Sequence, residues 1–184
     1  MGELKKRPRL LRQAAVLALV AITIVFLYGR RQISGPDKGI AAPDFRAETY
    51  SGGEFSPGDH AGSKVLLVFY ATWCGPCNDE MKHIVELDER FGPRGLQIAA
   101  VWQDPDKEDE LKKIFSEQKK RPHYPFVKDT DGSIHELYNV NAWPTMVLID
   151  DDGSVVGSYV GGKSRTRRAM EDSITHLYFD GAVD

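Results

Sequence analysis

The tightest constraint on this chain is a junction. Residues 64–71 (KVLLVFYA) form an uninterrupted β-prone apolar run, and shortly after it Cys74 and Cys77 bracket Gly75 and Pro76. A run that is apolar at successive rather than alternate positions reads as a central strand buried on both faces. Over residues 76–91 the apolar side chains change period, with Met81, Ile84, Val85 and Leu87 at helical spacing until Gly92 and Pro93 end the pattern. The two cysteines therefore sit where a buried strand hands over to a helix. Within 184 residues these are the only cysteines, which excludes a disulfide-dense scaffold and a four-cysteine zinc site.

The rest of the body fits one α/β domain. Asp44, Phe45, Arg46 and Ala47 read as a short edge strand followed by a turn at residues 51–53. A second apolar strand covers residues 96–102, and a charged helix over about residues 107–119 turns Leu111, Ile114 and Phe115 inward. Residues 145–149 and 154–160, joined by Asp150-Asp151-Asp152-Gly153, read as an antiparallel hairpin, and residues 165–178 as a closing helix. The expected architecture is a mixed sheet flanked by helices.

Charge is divided unevenly along the chain. Residues 1–35 carry seven Lys or Arg and one acid, which leaves 17 basic and 26 acidic groups for the remainder. An acidic body disfavours a nucleic-acid partner. The cationic head flanks residues 14–28 (AAVLALVAITIVFLY), an uncharged stretch. With Leu10, Leu11, Gly29 and snorkelling arginines at its ends, this stretch reaches roughly the 20 residues needed to span a bilayer. Five Lys or Arg precede it and two follow, so the positive-inside bias puts the N-terminus in the cytoplasm and the body outside. A cleaved signal peptide is the competing reading, but no small-residue cleavage site stands directly after Tyr28. The expected organisation is a basic cytoplasmic segment at 1–13, an anchor at 14–29, a polar linker at 30–41 and a folded domain at 42–184.

The cysteine pair carries the chemistry. Cys74 at a helix N-terminus meets the positive end of the helix dipole and unpaired amide N–H groups, which favour thiolate. Pro76 is tolerated in the first turn because its missing N–H would have had no intrahelical partner there. Cys77, one turn further in, is expected to be the more shielded. Cys74 thiolate attacks a substrate disulfide, and Cys77 then attacks Cys74 sulfur, releasing reduced substrate and leaving a Cys74–Cys77 bridge. Covalent haem attachment would need His after the second Cys, where Asn78 stands. Thiol-based metal carriage and a purely structural bridge stay open as alternatives, although His83 is poorly spaced to join the thiols. No metal ligand and no cofactor beyond the dithiol itself is assigned.

The sequence resembles the membrane-anchored, extracytoplasmic TlpA/ResA/CcmG-type thiol-disulfide oxidoreductases of thioredoxin fold, over about residues 41–178. The resemblance is carried by Ala42-Pro43-Asp44-Phe45, residues 65–77 (VLLVFYATWCGPC), Glu80-Met81 and Trp143-Pro144-Thr145. It implies a thioredoxin-like α/β fold with an N-terminal transmembrane helix, and an inserted helix near residues 106–120. It further implies that Pro144 is cis and lies beside the dithiol, leaving the preceding backbone free to pair with an extended substrate. Substrate-facing residues would then be Trp73, Gly75, Pro76, Trp143, Pro144 and Thr145, with bulky Trp143 narrowing substrate choice.

A glutamate at the position of Glu80 lies near the dithiol in ResA-like proteins. A partly desolvated carboxylate there suits proton exchange with Cys77. Where cytosolic thioredoxins bury an aspartate in the strand, this chain has Val68. Neither Gly75 nor Pro76 offers a side chain that would strongly stabilise the reduced form, so the pair is expected to be reducing rather than strongly oxidising. The alternative is an oxidative folding catalyst. The resemblance implies protein disulfide substrates, such as apocytochrome c or copper-site proteins, and recharging by a transmembrane thiol carrier of the CcdA/DsbD kind.

Overall fold

The structure, a computed structural model, describes residues 13–20, 23, 34–117 and 122–179. The chain divides into two units, residues 1–33 and 34–184. In the first, residues 13–20 are helical, with Val16, Leu17, Leu19 and Val20 exposed, and the Thr23 hydroxyl donates to the carbonyl of Leu19. Among the described residues no helix is long and apolar enough to cross a membrane. Half of the expected anchor lies outside the described residues, as do the last two residues, 118 and 119, of the expected charged helix and the C-terminal residues 180–184.

The second unit is built on a five-stranded sheet in the order β5-β4-β3-β6-β7, from β3 (Val65–Tyr70), β4 (Gln97–Trp102), β5 (Phe126–Lys128), β6 (Thr145–Ile149) and β7 (Val155–Val160). β3 runs parallel to β4, and β4 to β5, whereas β6 is antiparallel to β3 and to β7. The mixed sheet agrees with expectation. Every residue of β3 is buried because the strand is central and covered on both faces. Side chains alternate across it. Leu66, Val68 and Tyr70 join one core with Met81, Ile84 and Phe91 of α1 (Gly75–Phe91) and Met170 and Ile174 of α4 (Ser164–Phe179). Val65, Leu67 and Phe69 join the other core with Ile134 of α3 (Ser133–Leu137) and with Tyr138. Full burial of Leu66, Leu67 and Phe69 contributes about 2 kcal/mol each. The inserted helix, α2 (Glu108–Glu117), buries Leu111, with Ile114 and Phe115 half-buried beside it.

Two readings of the sequence need correction. The expected strand at residues 44–47 lies later and outside the main sheet: β1 (Ala47–Glu48) pairs antiparallel with β2 (Glu54–Phe55) in a separate ribbon. Asp44 is drawn away from strand pairing, because its carboxylate accepts hydrogen bonds from the Ser56 hydroxyl and the Gly58 amide. The linker expected at residues 30–41 rests on their polar, Gly- and Pro-containing composition. From Ser34 onward they are hydrogen-bonded to the domain, and Ala41 bridges to Ser154. The Asp150–Gly153 turn is formed as expected, with Gly153 at φ 81° and Lys64 pairing with Asp150 and Asp151 across it.

Candidate active site

The cysteines are joined, with Cα atoms 5.2 Å apart. Cys74 is the N-cap of α1, and its sulfur accepts the Cys77 amide at 3.2 Å, which satisfies one of the donors a helix start leaves open. A thiolate formed at Cys74 would meet that same amide and the helix dipole. Pro76 occupies the first turn, as its chemistry allows.

The expected difference in exposure is small in the bridged form. Cys74 is 4% and Cys77 2% exposed, so Cys74 is buried as well. Bonded to Cys77, Cys74 is covered, while its neighbours Trp73, 64% exposed, Gly75 and Pro76 are exposed.

The backbone entering the site is held from β4. Asp104, just after that strand, accepts the Thr72 amide at 3.0 Å and the Thr72 hydroxyl, which also lies 3.3 Å from a Glu110 carboxylate oxygen of α2. The Tyr70 hydroxyl donates to the Asn78 side chain at 2.6 Å, tying the end of β3 to the first turn of α1. Burial, reinforced by the Asp104 carboxylate, pushes the Tyr70 phenol far up and keeps it a donor.

Glu80 is not solvated. It is 1% exposed, one turn after Cys77 and turned to the same interior. Its Oε2 accepts from Arg167 Nε of α4 at 2.7 Å, while Oε1 is buried with no hydrogen-bond partner among the described residues. The approach needs Gly162, where a Cβ would stand 2.6 Å from Glu80 Oε2. Val68 lies in the core as an apolar residue. His83 faces Glu86 and Glu171 rather than the cysteines.

The Trp143–Pro144 peptide is cis. Trp143 packs against the core cluster that contains both cysteines, and its ring stands between Trp73, at 5.4 Å, and His135, at 5.7 Å. Pro144 and Thr145 are buried, and the Pro144 carbonyl accepts from Gly161. Among the described residues the Trp143 main-chain N–H and C=O make no backbone hydrogen bond.

Behind Trp143, Asp129 accepts hydrogen bonds from the Ile134 and His135 amides and from the His135 ring. Burial opposes the Asp129 charge, but these bonds outweigh it and hold the carboxyl below the usual carboxylate range. A group whose folded value is depressed adds stability that is present above its unfolded value of about 3.9 and lost as pH falls through the folded one. Urea unfolding of the wild-type protein should therefore lose stability below about pH 4 more steeply than Asp129→Asn does. Equal slopes for the two proteins would remove Asp129 as the cause.

Sequence reading missed Asp104, Asn78, Asp129, His135 and Arg167. Asp104 had a signal in its position, at the strand end beside the cysteine loop. Asn78 directly follows Cys77, Asp129 and His135 lie six residues apart, and Arg167 is brought to Glu80 across 87 residues by tertiary contact.

The arrangement fits thiol-disulfide exchange, with an attacking sulfur at a helix cap, a second sulfur one turn inside and an aromatic rim. The sequence pattern of the AhpC/TSA family matches residues 39–158. The chain is 31% identical over 175 residues to the thiol-disulfide oxidoreductase ResA of Bacillus cereus, covering 94% of this chain and 98% of that one. It is also 31% identical over 147 residues to the thioredoxin-like protein YneN of Bacillus subtilis, covering 80% and 84%. Among solved structures it resembles the Chlorobium tepidum protein assigned as a thiol:disulfide interchange protein DsbE. That match has a TM-score of 0.70 at 31% identity and covers 77% of this chain and 98% of that one.

Proposed function

We propose, because the chain belongs to the AhpC/TSA family and is a thiol-disulfide oxidoreductase of the ResA type, that it reduces protein disulfides from an anchored position outside the cytoplasmic membrane. The observation that carries this reading is the Cys74–Cys77 pair at the cap of α1, in one cluster with Trp143 of the cis-proline loop. The Cys74 thiolate attacks one sulfur of the substrate disulfide, and the other sulfur leaves as thiolate. Cys77, deprotonated, attacks Cys74 sulfur and expels the second substrate thiolate. Two electrons have passed to the substrate, whose thiolates take up two protons, and the protein is left bridged.

Glu80 Oε1, buried and without a hydrogen-bond partner among the described residues, is the oxygen available to take the Cys77 proton, since Oε2 is held by Arg167. The unpaired main chain of Trp143 takes up an extended substrate segment, bordered by Trp73, Gly75, Pro76, Pro144 and Thr145.

The anchor is supported by the uncharged residues 14–28, by the excess of Lys and Arg before them, and by the exposed Val16, Leu17, Leu19 and Val20. Each turnover leaves a bridge that an outside compartment does not reopen, so a two-electron donor is required. A transmembrane thiol carrier of the CcdA/DsbD kind meets that need. Apocytochrome c and copper-site proteins, which the resemblance implies as clients, are the substrate classes to test.

Equilibrating the pair against glutathione and dithiothreitol tests the direction. A reductase should titrate near the thioredoxin value of about −270 mV. A midpoint near about −120 mV would make it a disulfide donor instead.

A further inference from the structure

Residues 34–42 do more than connect. Ser34 is 3% exposed, and its hydroxyl uses its full bonding capacity on the cis-proline loop. Its oxygen accepts from the Asn141 amide at 3.0 Å and the Ala142 amide at 3.3 Å, and its O–H points to Thr145 Oγ1 at 2.9 Å. The Thr145 hydroxyl is itself directed to the Ala142 carbonyl at 2.8 Å, which closes a ring of bonds around Trp143 and Pro144.

The next residues keep this contact in register. The Gly35 amide donates to the Asn139 carbonyl, and at φ 97° a Cβ on Gly35 would stand 2.6 Å from Ser158 Cβ and Oγ, so only glycine fits. The Ser158 hydroxyl donates to the Pro36 carbonyl at 2.7 Å. The Gly39 amide and the Ile40 carbonyl then pair with Val155 along the open edge of β7, and the Ala42 amide donates to Gly153. The segment is pinned from the cis-proline loop to the far turn of the hairpin.

We propose that residues 34–42 are a strap that sets the shape of the cis-proline loop, with Ser34 as a positioning residue for the disulfide substrate. This rests on the reading that the Trp143 main chain receives an extended substrate. Ser34 touches no substrate atom. It satisfies the two part-buried amides that immediately precede Trp143, which would otherwise be free to pull the loop toward other acceptors. A displacement of about 1 Å there misaligns a peptide laid along the loop, whereas a small disulfide that reaches only Cys74 is indifferent to it.

The test uses the full chain in detergent, pre-reduced, and compares second-order rate constants toward a disulfide-bridged peptide and toward 5,5′-dithiobis(2-nitrobenzoate). Ser34→Ala should slow the peptide reaction about tenfold and the small-disulfide reaction less than about twofold. The Cys74–Cys77 equilibrium with glutathione should stay within about twofold, because the dithiol and its helix cap are untouched. Equal slowing on both substrates, or no change on either, would overturn the proposal.

Amide exchange of Asn141 and Ala142 in the wild-type protein reads the strap without any variant. Protection is expected, and fast exchange in the folded chain would also overturn it. A wild-type chain inert toward both disulfides would instead bring down the reductase reading. Ser34's role toward substrate would fall with it, even if those two amides proved protected.

Discussion

Cys74→Ser should lower disulfide reduction by about 10³-fold or more, because an alcohol cannot replace the thiolate as nucleophile and the thiol that remains, Cys77, is buried one turn inside the helix. Cys77→Ser should behave differently. It leaves the first attack intact and removes the second, so the chain should stop after one event as a mixed disulfide with its client. Insulin reduction with dithiothreitol as donor measures the first effect, and mass spectrometry of non-reduced adducts measures the second. In the reduced protein Cys74 should be alkylated by iodoacetamide ahead of Cys77. Opening the bridge releases the Cys74 sulfur, which is buried while bonded to Cys77. A reduced Cys74 that resists alkylation near neutral pH would count against the exchange mechanism itself.

The second large effect concerns Glu80 and Arg167. Arg167→Leu leaves a carboxylate that is 1% exposed with no partner, and should cost about 3 kcal/mol in urea unfolding of the oxidised protein. That figure is the low end for a broken buried pair, because the Arg167 side chain is 31% exposed. Adding Glu80→Gln to Arg167→Leu removes the stranded charge and should restore most of the loss. Glu80→Gln alone keeps an oxygen for Arg167 and should hold stability, yet release of reduced substrate should slow by about 10²-fold, since an amide accepts no proton. A double variant no more stable than Arg167→Leu would refute the stranded-charge account. Unchanged release in Glu80→Gln would leave Cys77 deprotonation to another group.

The two predictions differ in how visible their residues were. Cys74 and Cys77 are neighbours in sequence, and the change from a continuous apolar run to 3.6-residue spacing announced the strand and helix around them. Arg167 stands 87 residues from Glu80, and only the packing of α4 against α1 brings them together. β5 and α3 escaped notice because three and five residues are too short to show a period. The cis geometry before Pro144 followed from resemblance, not from any local pattern.

Short-range rules therefore carried the reading as far as the dithiol, its helix cap and the mixed sheet. Hydrophobic period and helix-end chemistry act within a turn or a strand and are written in consecutive residues. What surrounds the sulfurs was decided by the folded chain: Arg167 against Glu80, Asp129 against His135, Asp104 under Thr72, and Ser34 on the cis-proline loop. Each sets a polar group against a partner in the folded chain, and in every case but Asp129 and His135, six residues apart, that partner is remote in sequence.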